Sequence, residues 1–322
     1  MASRREFLLQ SSKATLASLL LPFPGNTSFV SLKTNRWPIG LQLYTVGDLL
    51  KQNPKATLHK IATIGYQEIE SVGVTENSLY GYKPKDFSQL LKSMGLRWRS
   101  AHVSGAPMKM SKADLYSYMK PKTHDDTLKV EAYARQVANG AGGLNLKNND
   151  QLLVDNAAEG GVDYLVCSAI PVGTLDEIKT AVDVFNKAGE TAKKAGLQFV
   201  YHNHATEFDL VEGHRPFDYI MEHTDKELVK MELDLAWATK AGQNFETLFK
   251  NYPGRYPLWH IKDIKADKTS ITEVGNGIVD YKHIFPYAKS AGLKHFFVEQ
   301  DLPENPLRSI TTSIANLKKI LA

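Results

Sequence analysis

The sequence predicts an α/β fold, a (β/α)8 barrel with a helical insertion after the third strand. Three observations carry the prediction. From Trp37 onward, eight short β-rich runs alternate with amphipathic helical stretches. Several helical stretches end in glycine with the next strand starting at once, in "IGYQEIE", "MGLRWRS", "GGVDYLV", "AGLQFVY" and "AGLKHFF". No G-x-G-x-x-G follows the first strand, which argues against an open, dinucleotide-binding sheet. Eight alternating units also fit the roughly 250 residues that such a barrel occupies.

The strands are read in order at "IGLQLYTV", "YQEIESV", "LRWRSAHV", "VDYLVCSAI", "LQFVYHNH", "VKMELDLAW", "PLWHIKD" and "HFFVEQD". Their β-branched and aromatic content suits strands buried on both faces. Between them lie "PKATLHKIATIG", "PKDFSQLLKSMG", "NDQLLVDNAAEGG", "LDEIKTAVDVFNKAGETAKKAG" and "YKHIFPYAKSAG", each with apolar residues on one side of a helix. The rhythm breaks once. The stretch from Ser104 to Gly143 is longer than one crossover helix needs. It is read either as a lid supplying Met, Tyr and Lys side chains or as a longer helical excursion. The "GNG" at Gly275–Gly277 is a lone turn signal, not a phosphate cradle.

The chain has 322 residues, 43% hydrophobic and 23% charged, with a formal net charge of +4. Part of that charge comes from Arg4, Arg5 and Lys13, so the remainder gives little reason to expect nucleic acid or an anionic membrane as partner. Cys167 is the sole cysteine, which excludes a disulfide framework and a Cys-based zinc site; it reads as a buried small hydrophobe. Residues 1–30 hold "SRREFLL" and then a short apolar run ending at prolines. This is the pattern of an export signal, and the adjacent Arg4-Arg5 resemble the twin-arginine type, which implies a periplasmic protein. Cleavage is expected within "PGNTSFVSLK", leaving a single barrel domain, 31–322. A basic amphipathic surface helix is the alternative.

Polar residues cluster where strands end. The fifth strand gives His202 and His204, the sixth Glu232 and Asp234, the seventh His260 and Asp263, the eighth Glu299 and Asp301. The third gives His102, and the second Glu68 and Glu70. In a parallel barrel these ends converge on one rim, where active sites form. A single histidine after an apolar run is usually a hydrogen-bonded core or rim residue. Four consecutive strands turning polar point instead to a divalent cation held by imidazole and carboxylate.

On these motifs the chain resembles the xylose-isomerase-like TIM barrel proteins, in the branch of sugar phosphate isomerases/epimerases. That branch includes ketose 3-epimerases and inosose-processing enzymes, and is related in fold to endonuclease IV. The resemblance covers about residues 37–320. It implies one divalent ion (Mn, Zn, Co, Fe or Mg), held by a Glu, an Asp, a His and a Glu on strands five to eight. Asp234 in "MELDLAW", His260 in "LWHIKD" and Glu299 in "FFVEQD" match three positions, and His202 stands where the family places the first glutamate. Proton abstraction beside a carbonyl is then the implied chemistry. Glu299 is expected as one acid/base group, Glu207 or His204 as the other, and Lys262 either as a stabiliser of developing charge or as a solvated loop lysine. His102, Tyr44, Glu70 and Trp237 are expected to touch substrate. Trp37, Trp98, Trp237 and Trp259 are read either as an apolar floor for a sugar ring or as core. The implied activity is that of a sugar isomerase or epimerase. The missing strand-five glutamate weakens a symmetric two-glutamate epimerisation and moves weight towards the alternative, a lyase or dehydratase eliminating from a 3-keto-glycoside or inosose through the same enediolate. A free sugar, keto-sugar or oxidised glycoside is the expected small-molecule partner. The rivals are an endonuclease-IV-like enzyme, which needs more ligands and a basic groove, and a non-catalytic sugar-binding barrel, which needs no cation.

Overall fold

Eight parallel strands close into a barrel in this computed structural model, which describes residues 37–107 and 143–322 and a few positions between them. The strands are β1 (Gly40–Gln42), β2 (Glu68–Ser71), β3 (Arg97–Ser104), β4 (Tyr164–Ala169), β5 (Gln198–His202), β6 (Val229–Asp234), β7 (Leu258–Ile261) and β8 (His295–Val298). Each pairs with its sequence neighbours, and β8 pairs with β1 to complete the ring. Seven of the eight β-rich runs contain their strand whole, and β3 overruns its run by Ser104 alone. The export signal and most of the insertion after β3 lie outside the described residues. Among the described residues no helix is long and apolar enough to cross a membrane.

The connections follow from local chemistry. Helices open on caps that accept an N–H at the first turn: Asn53 for Pro54–Ile64, Asn145 for Leu146–Gly160, Thr174 for Leu175–Lys194 and Asn305 for Pro306–Ile320. The five glycine joints all have positive φ, which a side chain would resist, and this turns the chain from helix into strand within one or two residues. The stretch "YKHIFPYAKSAG" is not one helix. Pro286 has no N–H to donate, and the segment splits into Tyr281–Ile284, a 3-10 turn at Phe285–Tyr287 and Ala288–Ala291.

Strand alternation sorts the core into two layers. Outward residues such as Trp98, Phe199, Tyr201 and Trp259 pack against the helices, Phe199 and Tyr201 against Phe185 and Trp259 against Phe249. Inward residues Val166, Val200, Leu258 and Phe297 form a separate apolar plug inside the barrel. Gly40 makes room for that plug, because a Cβ there would overlap the Phe297 ring. Below the plug, Glu68 receives Arg99 Nε at 2.5 Å and His295 Nδ1 at 2.8 Å. Above it begins the polar cluster. A β-bulge in β3 lets consecutive Arg99 and Ser100 both reach carboxylates of β2, Glu68 and Glu70. Cys167 is fully buried and its thiol pKa is pushed up by burial, as a small hydrophobe requires.

Candidate active site and cation centre

Inside the C-terminal end of the barrel, ionisable side chains are stacked at two depths. The upper level holds Asp234, His260 and Glu299, one donor atom of each lying within 4.8 Å of the others. Asp234 ends β6 and caps the helix Leu235–Lys240: its Oδ1 accepts the Trp237 N–H at 2.8 Å, which turns Oδ2 into the barrel. That buried Oδ2 accepts no hydrogen bond. His260 Nδ1 lies 3.0 Å from Glu299 Oε2 and 3.9 Å from Asp234 Oδ2. Lys262 is 2% exposed, with Nζ 2.6 Å from Glu299 Oε2, 3.4 Å from Asp234 Oδ2 and 3.1 Å from Asp301 Oδ2. It is a buried charge among carboxylates, not a solvated loop lysine. Burial works against ionising Glu299, but the Lys262 and His260 charges hold its carboxyl well below the ordinary range.

Two carboxylate oxygens and an imidazole nitrogen converging at a buried point, one oxygen without a hydrogen bond, fit a divalent cation with positions left open for substrate.

The lower level holds His102, His202, Glu232 and the Nε2 side of His260, with Glu70 beside them. Glu70 is fully buried: it receives Gln42 Nε2 at 2.8 Å, the Ser100 hydroxyl, and His260 Nε2 at 2.5 Å. Burial and the Glu70 charge push the Glu232 carboxyl up to about 7. Burial, then the charges of His260 and His204, push the His202 imidazole well below its usual value, so His202 is neutral.

The expected cation set is thereby divided. His202 joins His102 and Glu232, not Asp234 and Glu299. Register gives the reason: His202 pairs with Glu232 and Asp234 with His260, so His202 sits one layer deeper than Asp234. Of the two residues expected at the substrate rim, Glu70 is fully buried in this lower layer, while His102 is 8% exposed against 6% for Glu299. Glu207 is in neither group of converging donors and stands behind His204, its Oε1 3.8 Å from His204 Nδ1. It accepts the Tyr201 hydroxyl at 2.7 Å and the His204 N–H at 2.9 Å, on the helix side of the barrel where Tyr201 packs. Glu232 was legible as an inward residue of "MELDLAW" but was passed over as a site residue beside Asp234.

The mouth is lined by the remaining expected residues. The His204 side chain is 29% exposed, its ring 5.1 Å from that of His202 and 6.2 Å from that of Trp237. Lys262 Nζ lies 5.2 Å from the Trp237 ring centre. Tyr44, in the 3-10 turn after β1, is 43% exposed. Trp98 and Trp259 belong to the helix-facing core, and Trp37 packs against it, so of the four tryptophans Trp237 alone meets the cluster. Asn203 ties the β5 end to β6 by accepting the Asp234 N–H at 3.1 Å.

The "GNG" turn also has a definite task. The N–H groups of Gly275 and Gly277 donate to Asp263 Oδ2 at 2.9 and 3.0 Å, and the Tyr281 hydroxyl donates to the Lys262 carbonyl at 2.9 Å. Together they fix the backbone at Lys262 and Asp263.

Comparison with known proteins agrees with this architecture. The family model for the xylose isomerase-like TIM barrel matches residues 147–320. An inosose dehydratase of Clostridium beijerinckii is 25% identical over 247 residues, covering 69% of this chain and 78% of that protein. A crystal structure of a sugar phosphate isomerase/epimerase from Parabacteroides distasonis superposes with a TM-score of 0.70 at 26% identity, covering 92% of this chain and 98% of that one. The IolI protein with a bound zinc atom shares the fold, with a TM-score of 0.62 at 17% identity and coverage of 88% and 98%. The closed barrel, the cation-ligand chemistry at its C-terminal end and the family match lead to one conclusion: this chain is an enzyme of the xylose isomerase-like TIM barrel family.

Proposed function

We propose that the protein is a metal-dependent lyase of the dehydratase type. Its substrate is an unphosphorylated keto-sugar or inosose, or a 3-keto-glycoside. One observation carries this reading: of the two carboxylates in the upper level, Asp234 is tied to its helix cap and Glu299 is free to act as base, while the end of β5 carries imidazoles, with Glu207 behind His204 and bonded to Tyr201. Two-base epimerisation needs a second group of matching strength on the opposite face. Elimination needs one base and one acid.

Asp234, His260 and Glu299 would hold the cation. When bound, it polarises the substrate carbonyl and stabilises the negative charge that develops on its oxygen. Glu299, kept ionised by Lys262 and His260, accepts the proton from the carbon beside the carbonyl. The electron pair of that C–H bond forms the C=C bond as the C–O bond one carbon further breaks. His204 at the mouth donates the proton that lets the departing oxygen leave as water or an alcohol. Lys262 Nζ, 2.6 Å from Glu299, holds the base in place. Trp237 gives the sugar ring an apolar wall, and Tyr44 supplies a hydroxyl at the rim.

A further observation supports the substrate class and the reaction: the inosose dehydratase relative is similar over 78% of its own length. The likeness to the Parabacteroides isomerase/epimerase favours a second reading, in which the same enediolate is reprotonated instead of losing its substituent. Export to the periplasm, carried by Arg4-Arg5, belongs to the proposal and is checked by cell fractionation and N-terminal sequencing of the mature chain.

The deciding experiment incubates Mn-loaded protein in D2O with free ketoses, inososes and 3-keto-glycosides and follows products by NMR. Loss of the β-substituent is expected, with the α C–H gone from the product and deuterium at the α-carbon confined to recovered substrate. An epimer or isomer with no eliminated product replaces the lyase reading by the second one. No α C–H exchange with any of these substrates removes both.

A further inference from the structure

We infer that the lower level of the barrel is a second cation site, a closed and non-catalytic one, built from His102, His202, Glu232 and Nε2 of His260. The argument begins with hydrogen-bond capacity. Glu232 Oε2 faces three imidazole nitrogens at once: His102 Nε2 at 2.8 Å, His202 Nδ1 at 3.1 Å and His260 Nε2 at 3.1 Å. His260 Nε2 also lies 2.5 Å from Glu70 Oε1, so two buried carboxylates share the three nitrogens, yet Glu232 Oε1, equally buried, accepts no hydrogen bond. One donor atom from each of His102, His202, Glu232 and His260 lies within 4.8 Å of the others, a spread that one tetrahedral cation can gather.

Charge leads to the same place. Glu70 and Glu232 are each fully buried, and Glu70 Oε1 lies 3.0 Å from His102 Nε2. Once the imidazoles are neutral, two buried carboxylates match the charge of one divalent ion. Without it, protons on the imidazoles must compensate both charges in a buried site.

The two levels differ in the way that structural and catalytic sites differ. The lower set supplies four protein donors, the number that closes a tetrahedral site, and the upper set, equally buried, supplies three, the number that leaves one position for substrate. Three nitrogens and one oxygen favour zinc or cobalt, whereas two carboxylates and one imidazole admit harder ions. His260 presents a different nitrogen to each level, so filling one level leaves it available to the other, provided its ring gives up its proton. The inference is independent of which reaction the upper level performs.

The test counts ions and requires no activity. Full-length protein is stripped with chelator and titrated with Co2+, with bound metal measured by elemental analysis and by visible absorption. Two equivalents are expected in the wild type, with the intense bands of tetrahedral cobalt. Asp234→Asn combined with Glu299→Gln should keep one equivalent and those bands. His102→Gln combined with His202→Gln should keep one equivalent and lose them. Saturation of the wild type at one equivalent would overturn the inference. So would loss of the tetrahedral bands in the Asp234/Glu299 variant, or their survival in the His102/His202 variant. Far-ultraviolet circular dichroism checks folding, and if the histidine variant does not fold, the upper-level variant still decides.

Discussion

Replacing Lys262 by methionine tests whether the cation centre is electrostatically complete without its lysine. Lys262 Nζ lies within 3.4 Å of carboxylate oxygens from Asp234, Glu299 and Asp301. Removing one partner of a buried ion pair typically costs about 3–5 kcal/mol, because the remaining charge stays desolvated. Methionine keeps most of the volume, so cavity formation adds little. In metal-free protein the substitution should therefore lower the melting temperature by on the order of 10 °C for a chain of this size. A divalent ion supplies the missing positive charge to Asp234 and Glu299 but does not reach Asp301, so excess Mn2+ should restore a large part of the loss. The assay is thermal unfolding of wild type and variant, each with chelator and with excess Mn2+. A metal-free variant melting within about 2 °C of wild type would refute the reasoning. So would a deficit of equal size with and without Mn2+.

Three further outcomes follow from the same geometry. Asp234→Asn keeps the helix cap, since asparagine caps as well as aspartate, so the fold should persist. Its Mn2+ affinity by calorimetry should fall by at least the roughly 10–100-fold that loss of a merely supporting residue costs, and an unchanged affinity would remove Asp234 from the ligand set. Glu207→Ala leaves the buried Tyr201 hydroxyl without its acceptor and should destabilise by about 1–3 kcal/mol in urea unfolding; its bound Mn2+ per chain should not change, and a loss of metal would return Glu207 to the cation centre. Gly277→Ala places a Cβ against the Asp263 carboxylate and the Ile264 carbonyl, so it should cost roughly 1–3 kcal/mol and be visible as a lowered unfolding midpoint, whereas wild-type stability would mean that the turn does not clasp Asp263.

The sequence made the barrel readable because each strand–helix unit repeats the same local rules. Apolar runs, one-sided helices and terminal glycines are properties of neighbouring residues. The rim was readable for the same reason, since strands five to eight each turn polar at one end. Depth was not. Whether His202 stands level with Asp234 or with Glu232 depends on how β5, β6 and β7 are staggered around the ring, and that stagger is a property of three paired strands. Alternation could place Glu232 and Asp234 on the same inward face, but not say that the cluster continues below Asp234. Glu207 was misplaced for a related reason: two residues beyond His204 the chain is a 3-10 turn, where strand alternation no longer tells which way a side chain points.

Depth also explains how one barrel can hold so many ionisable groups and still keep a defined base. Glu70 and Glu232 are fully buried and bonded to imidazoles, so neither can meet a substrate. Glu299 is the ligand-type carboxylate with its neighbours arranged on one side, Lys262 and His260, and the mouth on the other. The lower layer fixes His260 through Nε2, and His260 in turn fixes Glu299 through Nδ1. A change at Glu70, far from any substrate, would therefore act on the base through one imidazole. The wall opposite Glu299 has no comparable support for a second carboxylate: β5 ends in imidazoles, and Glu207, the carboxylate that follows, is anchored to Tyr201. The asymmetry that separates elimination from epimerisation is thus set by which strand end carries a buttressed carboxylate, and here that end is β8.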